Sequence, residues 1–229
     1  MVLTVILMPY YLNTMRSREI EVVFVIDTSG SMKSQIGDLQ ESMKSIAIAL
    51  QRMSKQLSIG VVQYKDRGYQ NSGVSSAPLQ PIPRVTAERP SSPEMDRVLN
   101  FIAGLTAGGG GFTGENNTEG EAVRDGLREG LRQAWANSPP SDSRQVVILV
   151  GDDIAHPDEV ASALASVREW QKALPKTRVV SCIFTGSTGS ESHEFFKKIA
   201  TQGMGGVTVG SGGLMAAVLD QVLIDQAAR

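Results

Sequence analysis

The sequence predicts an α/β protein built on a doubly wound, mainly parallel sheet with one antiparallel edge strand and helices on both faces. Three observations predict it. Apolar strand-like runs alternate with amphipathic helical stretches along the 229 residues, the pattern of a parallel sheet covered on both sides. Two of the runs, "VVFVI" at 22–26 and "VVILV" at 146–150, are unbroken by polar residues, as buried parallel strands are. Residues 68–92 are instead rich in Gly, Ser and Pro around a short apolar piece near Leu79–Ile82, which reads as a hairpin-like excursion forming an edge strand.

Each element has its own signal. "EIEVVFVID" (19–27) reads as the first buried strand. Over 38–56, Leu39, Met43, Ile46, Leu50 and Met53 recur at helical spacing. "LSIGVVQYKD" (57–66) is the next strand, and "SPEMDRVLNFIAGL" (92–105) is a helix with Ser92 as N-cap and Pro93 at its first position. A glycine-rich loop follows and gives way to a helix from about Glu119. "RQVVILVGDD" (144–153) is the central strand. "PDEVASALASVREWQKAL" (157–174) is a helix opened by Pro157 and Asp158, and "TRVVSCIFTG" (177–186) is a strand. "ESHEFFKKIATQG" (191–203) is a helix stopped by glycine, and "GGVTVG" (205–210) and "GLMAAVLDQVLIDQ" (213–226) close the chain as strand and helix. No internal repeat is present. One domain over residues 20–229 is expected, preceded by residues 1–19 as an N-terminal arm or extra strand.

Composition excludes several function classes. A hydrophobic fraction of 41% with 20% charged residues is ordinary for a soluble globular domain. A net charge of −2 and 5% aromatic residues offer neither a basic footprint nor a stacking surface for nucleic acid. The single cysteine, Cys182, excludes an internal disulfide and a cysteine zinc cluster, and its place in "RVVSCIF" makes it a core residue. The N-terminal apolar run of about eight residues is too short to cross a bilayer and lacks the basic residues that lead a signal peptide, so membrane insertion is not expected. The sequence leaves open whether the chain is part of a larger chain or complex, and it does not assign a compartment.

The chemistry concentrates where the first strand stops, in "DTSGSM". In open α/β sheets, ligands bind beyond the carboxyl ends of the strands, where the strand order reverses. Asp27 ends the first strand and Asp152 the central one, so both carboxylates fall on one edge of the sheet. Asp27, Ser29 and Ser31 occupy alternate positions, and Gly30 permits a tight bend. A carboxylate and two hydroxyls are hard oxygen donors that suit Mg²⁺ or Mn²⁺. Because hydroxyls are neutral ligands, such an ion keeps charge with which to attract a carboxylate from outside. The same residue types also serve as helix caps and turns, and this stretch alone leaves both readings open.

"VVFVIDTSGSM" resembles the D-x-S-x-S opening of the metal-ion-dependent adhesion site in von Willebrand factor type A domains, which have a Rossmann-like fold. The likeness covers roughly residues 20–226. It implies a protein-binding module, not an enzyme, that holds Mg²⁺ (Mn²⁺ or Ca²⁺ as substitutes) and binds a partner protein's Asp or Glu through the ion. The family adds a Thr from a second loop and an Asp from a third. "VVILVGDDIAHP" resembles the third loop and puts Asp152 at the metal, with Gly151 in place of the commoner Thr and Asp153 in place of the commoner Gly. "GGGGFTGENNTEGEAVRDGL" resembles the second. Counting back from its helix gives Thr118 as the ligand, with Thr113 as the alternative. The implied metal set is therefore Asp27, Ser29, Ser31, Thr118 and Asp152. "IGVVQYKDRG" and "GDDIAHP" also resemble a bacterial subgroup of the family.

Rival readings lack parts. Haloacid dehalogenase phosphatases also place an Asp after a buried strand, but here Ser29 stands where their general acid would be and His156 where their last metal-binding Asp would fall. No G-x-x-x-x-G-K-[ST] phosphate loop and no G-x-S-x-G elbow are present. His156 is either a neighbour of the metal loop or a loop-surface residue. The Tyr64–Arg67 cluster either shapes a partner surface or is a solvated strand end, and the N-x-T pattern at Asn116 reads as a chance match.

Overall fold

The structure, a computed structural model, describes residues 19–66, 73–108, 120–136, 143–210 and 214–223. Six strands form one sheet: β1 Glu19–Asp27, β2 Gln56–Lys65, β3 Gly73–Ile82, β4 Arg144–Gly151, β5 Arg178–Phe184 and β6 Met204–Val209. Their order is β3-β2-β1-β4-β5-β6. Every pairing is parallel except β2 with β3, so the doubly wound sheet with one antiparallel edge strand is observed. The edge strand is longer than the apolar piece at 79–82 suggested, because its first half pairs with the end of β2 through small polar residues, Gln63 opposite Ser75 and Val62 opposite Ser76. Its prolines, Pro78 and Pro81, sit where only an edge strand tolerates a missing donor.

Among the described residues six helices cover the sheet: α1 Lys33–Met53, α2 Pro93–Ala103, α3 Val123–Ala136, α4 Val160–Ala173, α5 Glu191–Gln202 and α6 Leu214–Leu223. Strand alternation divides the core. Val22, Phe24 and Ile26 of β1 pack with α1, α2 and α6 on one face, while Val23 and Val25 pack with α3, α4 and α5 on the other. β4 splits the same way, with Val146, Ile148 and Val150 on the first face and Val147 and Leu149 on the second. Cys182 is fully buried in the second layer, and burial pushes its thiol pKa up.

Element boundaries differ in two places that matter for the site. α1 starts at Lys33, five residues before the expected 38, because a 3₁₀ turn over Gly30–Met32 leads straight into it and buried Met32 and Ile36 extend its apolar face. α3 starts at Val123, not near 119. Ser92 caps α2 as expected, its Oγ accepting from Met95 N at 3.2 Å. Residues 1–18, expected as an arm, lie outside the described residues. Among the described residues no helix is long and apolar enough to cross a membrane.

The order places the reversal between β1 and β4. From β1 the chain moves outward to β2 and β3, and from β4 it moves the other way to β5 and β6. Ligand crevices form at such a point. The carboxyl end of β1, which is Asp27, stands between the ends of β2 and β4.

Candidate functional site

The loop after β1 is held by β2. Asp27 is the register partner of Tyr64, and both the backbone N–H and the hydroxyl of Thr28 donate to Tyr64 O, at 3.0 and 3.1 Å. Asp27 is fully buried, and its Oδ1 accepts from Ser29 N at 2.7 Å, an Asx turn that aims the loop back over the strand end. Ser29 Oγ lies 3.1 Å from Ser31 Oγ. Neither Ser29 nor Met32 places a side-chain cap on the helical turns that follow, while the Asx turn of Asp27 is the turn chemistry these residue types also serve. The loop gathers Asp27, Ser29 and Ser31 around one point.

The third predicted loop joins them. Asp152 follows β4 and is half-buried, with the Ser31 hydroxyl and the Asp27 carboxyl both within hydrogen-bonding reach. Thr185 N donates to Gly151 O at 3.0 Å, and a Cβ on Gly186 would stand 2.7 Å from Asp152 O, so the end of β5 closes tightly on this turn. Thr118 and Thr113 both lie outside the described residues. Four of the five predicted ligands are thus brought together, and the structure says nothing of the fifth.

The electrostatics are those of crowded, desolvated carboxyls. Burial, reinforced by the charges of Asp152 and Asp153 and opposed by bonds from Ser29, raises the Asp27 pKa to about 7. Asp152 is also raised, chiefly by burial and by Asp153. Among the described residues no donor reaches Asp27 Oδ2. Two carboxyls this close do not both ionise readily: one keeps a proton unless a cation offsets the paired charge. The donor set fits a hard divalent ion. Among the described residues no three His, Cys, Asp or Glu side chains are close enough to hold a metal by themselves, so an ion held here would need the serine hydroxyls as well.

A second acidic residue was missed by the sequence reading. Glu121 is 3% exposed, and among the described residues no donor reaches its Oε2. Burial, then the charges of Asp27, Asp66, Asp153 and Asp152, raise its pKa to about 9. Its signal was available, as a glutamate set between a glycine and the apolar pair Ala122-Val123 just ahead of a helix. The Tyr64 hydroxyl, fully buried and without a hydrogen-bond partner among the described residues, is pushed well above its ordinary pKa by burial, then by Asp27, Glu121 and Asp152.

Two expectations change. Tyr64, Lys65 and Asp66 are buried, not a solvated strand end, since Tyr64 packs against Gly126 and Gly151 and Asp66 meets His156; Arg67 lies outside the described residues. His156 is not a loop-surface residue. It is 8% exposed, with Nε2 2.8 Å from Asp66 Oδ1, and it ties the loop after β4 to the end of β2.

A family model, von Willebrand factor type A domain, matches residues 21–209. The chain belongs to the von Willebrand factor type A domain family. Solved structures of this fold include the pilus adhesin SpaC from Lactobacillus rhamnosus GG in its open conformation, at TM-score 0.59 and 15% identity. A second form of the same adhesin matches at TM-score 0.57 and 14% identity. In both cases the match covers 93% of this chain and 30% of the adhesin chain. No curated protein sequence matches the chain.

Proposed function

We propose that this von Willebrand factor type A domain is a protein-interaction module that holds Mg²⁺ with Asp27, Ser29, Ser31, Thr118 and Asp152 and binds an Asp or Glu of a partner protein through the ion. The observation that carries this reading is the pairing of Asp27 with Asp152. A fully buried carboxylate with an oxygen that meets no donor stands against a second carboxyl, beside two serine hydroxyls, at the switch point of the sheet. Protonation answers that arrangement at low pH, and a divalent cation answers it at neutral pH. The adhesin neighbours, alike in fold, accord with an adhesive or interaction role.

The chain's own residues do the positioning. The Asx turn fixes Asp27, the 3₁₀ turn sets Ser31 beside Ser29, and the contact of Gly186 on Asp152 O fixes the third loop. When bound, the ion supplies a Lewis-acidic position open to a carboxylate oxygen from outside.

The test is calorimetric titration of the full chain with Mg²⁺ and Mn²⁺ up to millimolar concentrations, on wild type and Asp27→Ala, with thermal melts in parallel. Saturable binding that Asp27→Ala abolishes, with a melting temperature that rises with ion concentration, is expected. Absence of binding in the wild type across that range overturns the reading and leaves a fold-only interaction module.

A further inference from the structure

A cavity of about 310 Å³ opens at the amino end of the sheet, between the end of α1 and the turn that leaves β3. It lies at the opposite end of β2 from Tyr64 and the Asp27 loop. β2 is 10 residues long, so at about 3.3 Å per residue the two places are about 30 Å apart. Leu57, Pro81, Ile82 and Pro83 give the cavity apolar walls, and Lys55 and Arg84 stand among them. None of the described residues that line it is acidic. Apolar surface with a few placed polar groups is the make-up of a ligand pocket.

The walls are cross-braced. Gln51 Nε2 donates to Ile82 O at 3.1 Å and to Pro83 O at 2.7 Å, and Gln51 Oε1 accepts from Val85 N at 3.1 Å. Ser54 Oγ donates to Leu50 O at 2.8 Å and closes the last turn of α1. The free carbonyls at a helix end repel anions. Here Arg84 Nη2 donates to Ser54 O at 2.8 Å, and Arg52 adds a positive charge in the last turn. A guanidinium has five N–H donors, so Arg84 keeps others for a ligand. Lys55 is lightly engaged, with Nζ 3.9 Å from Glu19 Oε1 and a side chain 64% exposed.

We propose that this cavity is a second docking site, for a partner-protein segment that carries an Asp or Glu carboxylate beside an apolar side chain. Charge complementarity selects the occupant. Two cations in a lining that holds no acid call for an anion, and the apolar walls call for an apolar group next to it. Arg84 and Lys55 take the carboxylate, and Leu57 and Ile82 take the apolar side chain. No metal takes part, so the inference does not depend on the metal reading above. A partner held here leaves the carboxyl ends of the strands free, and the domain can hold two partner segments at once, one at each end of the sheet.

The experiment is an amide NMR titration of the isotope-labelled full chain, in chelator, with the capped dipeptide acetyl-leucyl-glutamyl amide into the tens-of-millimolar range. Two controls accompany it: acetyl-leucyl-glutaminyl amide, which lacks the charge, and acetyl-glycyl-glutamyl amide, which lacks the apolar side chain. The leucyl-glutamyl probe is expected to shift the amides of Gln51, Leu57, Ile82 and Val85 saturably, and each control should bind several-fold more weakly. Lys55→Gln should weaken the probe about 2–5-fold, the range of an exposed ion pair. Arg84→Gln should weaken it about tenfold, the cost of a hydrogen bond to a charged group. Should Arg84→Gln disturb the end of α1, Lys55→Glu carries the test, since that side chain is exposed and its charge reversal should abolish binding. The proposal is overturned if wild type shows no saturable shift at those amides, or if the glutaminyl control binds as tightly as the glutamyl probe. Loss of self-association in Lys55→Gln or Arg84→Gln, read by sedimentation velocity, would assign the cavity to a second copy of the chain and overturn the partner reading.

Discussion

Gly151 lies directly under the hydroxyl of Tyr64. A Cβ at position 151 would stand 2.8 Å from Tyr64 Oη, 3.2 Å from Phe196 Cζ and 3.3 Å from Asp27 Cβ. The glycine that replaces the family's commoner threonine therefore makes room for a tyrosine on the neighbouring strand, and the two positions behave as one unit. Gly151→Ala is expected to destabilise the domain by about 1–3 kcal/mol, the usual cost of overpacking a filled core. In a Tyr64→Phe background the closest contact is gone, and the cost of Gly151→Ala should shrink while the contacts with Phe196 and Asp27 keep it above zero. Urea unfolding of the four proteins in this cycle measures the coupling, and strictly additive changes would show that the contact does not matter.

This pair also marks where the sequence stopped being legible. The order of elements could be read because each carries its own local signal: period-2 or unbroken apolar runs for strands, 3.6-residue spacing for helices, Ser92-Pro93 for a helix start. Asp27 and Asp152 could be placed on one edge because both end buried strands and the rule for parallel sheets puts those ends together. What lay hidden depends on contacts between segments distant in sequence. Gly151 looked like a departure from the family pattern until Tyr64 accounted for it. Asp66 and His156 are separated by 90 positions in the chain and form a buried pair that neither local context announces. Glu121 fell in the first turn of the helix expected from about Glu119, and its 3% exposure came to light only with the fold, in which its N–H donates to Ile154 O on a loop more than thirty residues away.

Gly130 sets helix propensity against packing. Alanine in a helix interior is favoured over glycine by about 1 kcal/mol, so Gly130→Ala on α3 would stabilise an exposed helix. Here a Cβ would come within 2.4 Å of Val25 Cγ2 on β1. Overpacking at about 1–3 kcal/mol wins, and the variant should melt lower than wild type. Val25→Ala in the same chain removes the clashing methyl groups, so the double variant should be less destabilised than the two single changes summed. A Gly130→Ala protein that melts above wild type would mean that α3 rides further from the sheet than described.

The Asp66–His156 pair is expected to act as a tether between the end of β2 and the loop after β4. Its Nε2···Oδ1 distance is 2.8 Å, and both residues are buried. Removing one member leaves the other's polar group buried with a lost bond, which costs about 1–3 kcal/mol. His156→Ala should therefore lower stability by that order, and the Asp66→Ala/His156→Ala double variant should lose less than the sum of its singles. Because the tethered loop carries Asp152, His156→Ala should also weaken Mn²⁺ binding. Equal Mn²⁺ affinity in His156→Ala and wild type would confine the pair to a purely structural role.

The pH dependence of the metal-free domain follows from the two raised carboxyls. Burial and neighbouring charges raise Asp27 to about 7 and Glu121 to about 9, against about 4 for carboxyls in an unfolded chain. Between those values the folded state keeps protons that the unfolded state has released. Stability then falls as pH rises, by the linkage between proton binding and unfolding. The contribution is fully present below about pH 4, and it is lost as pH passes through about 7 for Asp27 and about 9 for Glu121. In chelator, the melting temperature should therefore decline from pH 5 towards pH 9, apart from any general acid effect at the low end. Asp27→Asn and Glu121→Gln should each flatten part of that decline, the first around neutrality and the second above it. Added Mg²⁺ competes with the same protons, so its stabilising effect should be small at pH 5 and grow steadily to pH 8. Thermal melts across that range, with chelator and with saturating Mg²⁺, test both halves at once. A stabilisation by Mg²⁺ that is the same at pH 5 and pH 8 would mean that these carboxyls do not give up protons to the ion.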